Sequence, residues 1–321
     1  MAKTTDLNDI ANALREADDF AILTHQYPDG DTVGSAFALC RALRKLGKRA
    51  GVVVNGKLDK KFDYLLNNYE DQDFKYKTVV TVDIAAPQLL GELREEFEGR
   101  IDISIDHHTS NSIEAKLSYV DPKAANAENV LELIRLLKAE FDKDMANAIY
   151  TGICTDTGCF KFSNVNSATM RAAADMMDIG CDSTEINRVM FDLKSMARIR
   201  MEKAVLDSLT LHAGGMIAVV NTTIEMEHET GVGDTDMDGI ASIPRQIEGV
   251  YIGITIKEKD AGRYRISIRT LAPCDASLIA GEFGGGGHHA AAGCTMTGGL
   301  YDVKTRIVEA AKAELERAGV K

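Results

Sequence analysis

The chain contains no apolar run approaching the roughly 18 residues that a membrane-spanning helix requires. Its opening stretch, "MAKTTDLNDIANALREADDF", lacks the apolar core of a secretory signal; instead it spaces Leu7, Ile10, Ala11 and Leu14 along one face of an amphipathic helix. A cytoplasmic location with no membrane partner is therefore expected. There is no Cys-x-x-Cys pair. Cys40, Cys154, Cys159, Cys181, Cys274 and Cys294 are scattered, which argues against a thiolate zinc site or a dithiol redox motif and leaves them as small buried hydrophobes. An excess of positive charge is also lacking: 37 basic residues stand against 49 acidic ones, a formal net charge of −12. A long polyanion such as duplex nucleic acid is repelled by that balance, whereas a small phosphorylated molecule held by a few local cations is not. No internal repeat or low-complexity linker is present.

At 321 residues the chain exceeds the size at which one hydrophobic core usually stops growing, so two domains are expected. Up to residue 120, strand-like runs ("FAILTH", "RAGVVVN", "KTVVTVD", "IDISIDHH") alternate with helical ones ("GSAFALCRALRKLG", "KKFDYLLNNY", "APQLLGELREEFEG"). That order predicts a parallel sheet flanked by helices. From Ala124 the pattern is helical, in "AENVLELIRLLKAEF", "KDMANAIYTGICT", "NSATMRAAADMMDIG" and "STEINRVMFDL", and the charged stretch "KSMARIRMEKAVLDSLTL" is predicted as a connecting helix. Mixed structure follows: strands "GMIAVVNTT", "GVYIGITIKEK" and "YRISIRT", a helix "DASLIAGEF", a glycine run and a final helix "DVKTRIVEAAKAELERAG". The expected fold class is α/β, with an N-terminal parallel-sheet domain over 1–190, a linker helix over 191–212 and a smaller α/β domain over 213–321.

The densest chemistry lies in "THQYPDGDTVGS", where His25, Asp29 and Asp31 fall together just past a strand. Pro28 presets one φ angle, and Gly30 is expected to permit a tight bend between the two aspartates. A solvated turn in which Asp caps the next helix accounts for this stretch taken alone. Two further strands change the balance, because "VVTVD" ends on Asp83 and "ISIDHH" on Asp106, His107 and His108. Open α/β sheets bind ligands at the carboxyl ends of their strands. Asp156, in "TGICTDTGCF", adds another acidic position, with a helix cap as its alternative role. Carboxylates gathered out of water need protons or cations to neutralise them. Oxygen and imidazole donors without thiolate suit Mn²⁺, and after it Mg²⁺, Co²⁺ or Fe²⁺; two such ions can share an aspartate at roughly 3.5 to 4 Å separation, with Asp83 the expected bridge.

These residues resemble the DHH phosphoesterase superfamily. Its first motif, His-x-x-Pro-Asp-Gly-Asp-x-x-Gly-Ser, matches "HQYPDGDTVGS"; the second is represented by Asp83 in "TVDIA", the third by Asp106-His107-His108 and the fourth by Asp156. "GGGGHHAAAG", over 284–293, is similar to the glycine-rich signature of the associated DHHA1 domain. A chain of this length with both domains looks like the nano-RNase and pAp-phosphatase branch, or the similar stand-alone phosphodiesterases of linear and cyclic dinucleotides. The resemblance implies that His25, Asp29 and Asp83 hold one metal, and that Asp31, Asp83, His107 and Asp156 hold the other. It further implies that His108 faces the substrate phosphate and that Asp106 orients a neighbouring histidine. Arg269 stands at the position of a phosphate-binding arginine, and His288 at that of a histidine donor. The amides of Gly286 and Gly287 are expected to approach a phosphate, since glycine has no Cβ. Alternation in "RYRISIRT" puts Arg265, Ser267 and Arg269 on one face, with Arg265 expected to be solvated.

The implied reaction is in-line attack on phosphorus by a water that two Mn²⁺ ions acidify, with the second domain clamping the nucleotide and limiting its length. Expected substrates are short oligoribonucleotides, cut to mononucleotides, and 3′-phosphoadenosine 5′-phosphate (pAp). The alternative is a phosphodiesterase for pApA or cyclic di-AMP; a polyphosphatase and a non-catalytic nucleotide sensor are further alternatives. A homodimer is expected by analogy alone.

Overall fold

A computed structural model describes residues 5–233, 237 and 239–320; the first four residues of the helix predicted over 1–20 lie outside the described residues. The chain divides into two compact units, 1–193 and 194–321. No helix among the described residues is long and apolar enough to cross a membrane.

In the first unit, β1 (Phe20–Leu23), β2 (Ala50–Val53), β3 (Thr78–Val82), β4 (Ile103–Asp106) and β5 (Leu117–Val120) form a parallel sheet in the order β2-β1-β3-β4-β5. β1 and β4 are buried at every position, so their short continuous apolar runs suit a sheet covered on both faces. The helices are α1 (Leu7–Glu16), α2 (Gly30–Lys45), α3 (Arg94–Phe97), α4 (Asn126–Leu137), α5 (Lys143–Asp156), α6 (Ser167–Ile179) and α7 (Ser183–Asn187). The larger core gathers Ile10, Leu14, Phe37, Leu39, Val130 and Ile149 against Ile22, Val82 and Ile105 of the sheet. The opposite face carries a smaller core, with Leu90, Phe97 and Ile113 on Ala21, Leu23 and Val79.

The crossing of α2 and α5 does most to build the site. A Cβ on Gly34 would lie 2.3 Å from the Ala148 carbonyl oxygen, and one on Gly152 would lie 2.7 Å from Asp31 Oδ1. Only glycine permits this approach, which brings Asp31, in the first turn of α2, to Asp156, the last residue of α5.

Several elements differ from their sequence expectations. "APQLLGELREEFEG" is not one helix: a 3₁₀ segment, Pro87–Leu93, breaks at Gly91 (φ 51°) before α3, because Gly91 packs against Gln26 and Asn55. "KKFDYLLNNY" forms a 3₁₀ segment, Lys60–Leu66, and "STEINRVMFDL" passes from α7 into a π-turn, Arg188–Asp192. Strand β5 was not expected from its sequence.

The second unit contains α8 (Met196–Asp207), β6 (Thr210–His212), β7 (Ile217–Thr222), α9 (Ile224–Thr230), β8 (Ile252–Asp260), β9 (Arg263–Thr270), α10 (Ala276–Gly281), β10 (Gly286–His288), β11 (Ala291–Thr297) and α11 (Leu300–Arg317). Its sheet runs β10-β11-β9-β8-β7-β6 and is antiparallel except between β7 and β8. As the alternation predicts, Tyr264, Ile266 and Ile268 of β9 are buried, in a core shared with Val303, Ile307 and Ala311 of α11. α8 buries Met201 and Val205 with Val220 and Ile240. Within the glycine run the structure has strand β10, paired with the unexpected β11; the buried Ala292, Cys294 and Met296 are too small or unbranched to signal a strand.

Candidate metal centre

The chain leaves β1 for β2 on one side and passes through β3, β4 and β5 on the other, so the sheet's switch point lies between β1 and β3. A crevice outside the strands' carboxyl ends is expected there. His25 follows β1, Asp83 follows β3, and Asp106 ends β4 with His107 and His108 after it. Asp83 has a left-handed backbone (φ 58°), a conformation that costs a non-glycine residue about 1–3 kcal/mol, while its N–H donates to the Ile105 carbonyl at 3.0 Å. Asp29 is the N-cap of α2, its Oδ1 accepting from the amides of Asp31 (3.0 Å) and Thr32 (3.1 Å). Capping and membership of the cluster therefore coexist in Asp29. Gly30 does not make the expected bend: it is the first residue of α2, and a Cβ there would lie 2.4 Å from the Thr155 side chain. Asp156 is no N-terminal cap either, since it ends α5, where the helix dipole disfavours a negative charge.

All eight first-unit residues singled out in the sequence meet at this place. His107 Nε2 lies 3.4 Å from Asp83 Oδ1, 3.5 Å from Asp156 Oδ2 and 4.0 Å from Asp31 Oδ2. On the other side, His25 Nε2 lies 3.6 Å from Asp29 Oδ1 and 4.0 Å from Asp83 Oδ2. Asp83 thus turns one oxygen to each imidazole. His108 Nδ1 is 2.9 Å from Asp106 Oδ1, which also accepts from the amides of His107 and His108, while Asn111 donates to Oδ2.

The two imidazoles are prepared differently. His107 Nδ1 faces the Lys123 carbonyl at 3.0 Å, so the neutral ring carries its proton there and presents the Nε2 lone pair to the carboxylates. His25 Nδ1 instead accepts from the Tyr27 amide at 3.3 Å, which leaves the neutral ring's proton on Nε2. Asp31 is held by a helix end: its Oδ2 accepts from Asn126 N (2.5 Å) and its Oδ1 from Ala127 N (2.8 Å), capping α4 from another element.

Burial pushes the carboxyls of Asp31, Asp83 and Asp156 above the usual range; the Asp83 charge adds to this for Asp31 and Asp156, and the Asp29 charge adds to it for Asp83. Burial works against charged His107, but the Asp83 carboxylate 3.4 Å from Nε2 and the charge of Asp31 override it and hold the imidazole above its ordinary value. The same contest, won by Asp29, raises His25. His108 is raised chiefly by its hydrogen bond with Asp106. Asp29 and Asp106 end below their ordinary range, because His25 in one case, and His108 with Asn111 in the other, outweigh burial. Even so, Asp83 Oδ1 and His107 Nε2 are buried without a hydrogen-bond partner, which proteins rarely tolerate. These orphaned atoms, in a set of oxygen and imidazole donors lacking thiolate, fit a divalent cation.

The predicted second-unit residues lie on one end of its sheet. Arg269 is level with Ala291 on β11, which is level with His288 on β10, so Arg269 and His288 share a face across three strands. Gly286 lines a depression of about 470 Å³ with Gly284, Gly285 and Phe283, and Arg265, exposed as expected, lines it too. Gly287 has φ 149° and packs on Ala291 and Ala292, so its lack of Cβ serves the β10–β11 hairpin. His289 pairs with Asp275. Burial, together with the charges of Arg245 and Arg265, lowers the Arg269 pKa, which marks three guanidinium groups in one neighbourhood. Arg245 was missed in the sequence because no local pattern ties it to β9. Lys123, Asn111 and the amides of Asn126 and Ala127 were missed for the same reason.

Carboxylates and imidazoles gathered at the switch point of a parallel sheet define an α/β protein built around a cation site. A model of the DHH family N-terminal domain matches residues 19–153, and one of the DHHA1 domain matches 215–317. The chain belongs to the DHH family. It is 35% identical over 305 residues to the bifunctional oligoribonuclease and PAP phosphatase NrnA of Thermus thermophilus, a match covering 93% of this chain and 90% of that one. The cyclic-di-AMP phosphodiesterase PdeA of Listeria monocytogenes is 25% identical over 87% of this chain but 45% of its own length. The crystal structure of an exopolyphosphatase-related protein from Bacteroides fragilis shares the fold, with a TM-score of 0.81 at 24% identity and 96% coverage of each chain.

Proposed function

We propose that the chain is a phosphoesterase that hydrolyses short oligoribonucleotides to mononucleotides and pAp to AMP, working with two divalent cations, Mn²⁺ foremost. The observation that carries this reading is Asp83, with Oδ1 on the His107 side and Oδ2 on the His25 side. When bound, cations in this cluster supply Lewis acidity, drawing charge from phosphoryl oxygens and lowering the pKa of water. The chain's own residues do the rest. His25, Asp29 and Asp83 would hold one cation, and Asp31, Asp83, His107 and Asp156 the other. The Lys123 carbonyl fixes the donor nitrogen of His107, and the α4 amides hold Asp31 at a set angle. Asp106 raises the pKa of half-exposed His108 and so favours its imidazolium, which can donate to a phosphoryl oxygen as negative charge builds. In the second unit, Arg269, His288 and the amides of Gly286 and Gly287 would bind a nucleotide phosphate, because guanidinium forks match phosphate oxygens.

The NrnA relative, aligned over nearly the whole chain, supports the choice of substrate, and the PdeA relative supports a dinucleotide phosphodiesterase as the second reading. The test is a panel of pAp, short oligoribonucleotides, pApA and cyclic di-AMP, each with Mn²⁺ and with Mg²⁺, on the parent and on Asp83→Ala. Fastest turnover of pAp and short oligoribonucleotides, lost in the variant, is expected. Preference for cyclic di-AMP would replace the first reading with the second, and equal rates in both proteins would remove Asp83 from the mechanism.

A further inference from the structure

A cavity of about 360 Å³ in the second unit lies between the outermost strand β6 and helix α11. Its helical wall carries Tyr301, Lys304, Thr305 and Lys312, which recur at helical spacing along one face of α11; buried Val308 lies on the same wall. Its strand wall carries Thr210 and His212, two residues apart and so on one face of β6, with Thr210 Oγ1 3.1 Å from His212 Nε2. None of these residues belongs to the Asp/His cluster or to the Arg269 face.

The charge balance of this cavity runs against that of the chain. Its one acid, Glu309, pairs with Lys312 at 2.8 Å on the exposed surface of the same helix. Such an exposed pair is weak and leaves the ammonium able to turn to a stronger partner. Lys304 is half-buried, and its side chain forms no ion pair or hydrogen bond among the described residues. A partly desolvated ammonium without a counter-charge is costly, and an incoming anion recovers that cost. Burial, together with the charges of Lys304 and Lys312, also holds His212 below its ordinary value, consistent with a cationic enclosure. Around Lys304 stand the hydroxyls of Thr210 and Tyr301, with that of Thr305 donating to the Tyr301 carbonyl at 2.9 Å, and the exposed Tyr301 ring offers a flat apolar surface at the rim. The volume is within the range of small-ligand pockets, roughly 300–1,000 Å³.

We propose that this cavity is a second, non-catalytic site for a phosphate group, either that of a nucleoside monophosphate or free inorganic phosphate, with Lys304 and Lys312 as the charged contacts and the Thr210 hydroxyl as a donor. The site does not depend on the phosphoesterase reading.

Because the chain contains no tryptophan, Tyr301→Trp supplies a single emission reporter on the cavity's rim. AMP, inorganic phosphate and adenosine are each titrated into this variant at constant ionic strength, with a chelator present. The expected result is a saturable change with AMP, with phosphate, or with both, and none with adenosine. Adding Lys304→Met should weaken it at least tenfold, Lys304→Arg should largely restore it, and Arg269→Ala should leave it unchanged. A response to AMP without one to phosphate assigns the nucleotide, and equal responses assign phosphate alone. No saturable change with either, an equal response to adenosine, or full binding by the folded Lys304→Met variant overturns the proposal; circular dichroism establishes that each variant is folded.

Discussion

The two sides of Asp83 differ in how far they are built. On the His107 side the ring's proton is fixed by the Lys123 carbonyl, Asp31 is fully buried and held by two amides of α4, and the α2–α5 crossing delivers Asp156. On the His25 side, Asp29 is 53% exposed and the neutral imidazole keeps its proton on the nitrogen that faces the carboxylates. The first side needs only to release the protons that its raised groups hold, its donors already being in place; the second needs in addition the ring's remaining proton on Nδ1, which breaks the Tyr27 contact. Preorganised donors lose less on binding, so the His107 side is the stronger position and the His25 side the exchangeable one.

The strongest way to break this comparison is to remove what both sides share. Asp83→Ala is expected to abolish paired cation binding in a calorimetric Mn²⁺ titration and to lower kcat/KM by about a thousandfold or more, about 4 kcal/mol of transition-state stabilisation. Next, His107→Ala is expected to weaken the tighter binding step, and His25→Ala only the weaker one, with the His107 loss larger by about tenfold. The reverse order would show that the packing around His107 does not set affinity. Asp106→Asn keeps the shape but removes the charge that raises the His108 pKa; kcat should fall about 10- to 100-fold while the tighter Mn²⁺ affinity stays.

The smallest expected effect is on stability without cations. Asp31, Asp83 and Asp156 have raised folded-state pKa values, so above the ordinary carboxylate range the folded chain binds more protons than the unfolded one, and stability falls as pH rises through those values. His25 and His107 are raised too, so their contribution is full below the unfolded histidine value and is lost as pH rises through the folded ones. Both signs agree. Asp29 and Asp106, which are lowered, act oppositely only below the carboxylate range. The chelated protein's Tm should therefore drop by a few degrees between about pH 5 and pH 8, and Mn²⁺ should restore it at the upper end. A chelated Tm that rises over that interval would contradict the pKa shifts.

How much of this was legible in the sequence follows from how local each feature is. His25, Asp29 and Asp31 sit in one turn, and Asp83 and Asp106 end apolar strand runs, so alternating elements sufficed to bring them to one sheet edge. The asymmetry between the two sides was not legible. It rests on Lys123, Asn126 and Ala127, which are ordinary residues acting through backbone atoms, and on Gly34 and Gly152, whose reason appears only where α2 meets α5. The same holds in the second unit: β9 announced itself by alternation, whereas β10 and β11 are made of glycine and small residues, and Arg245 comes from a distant segment. Short 3₁₀ and π segments were misjudged as α-helix because apolar spacing does not reveal the close contacts that break a helix, as at Gly91.

The most direct test of the central claim is anomalous scattering from a crystal soaked in Mn²⁺. Two peaks within about 4 Å of each other, one against Asp83 Oδ1 with His107 and one against Asp83 Oδ2 with His25, are predicted, the His107 peak being the fuller at low Mn²⁺. A single peak that leaves Asp83 uncoordinated, or none in the cluster, would contradict the account.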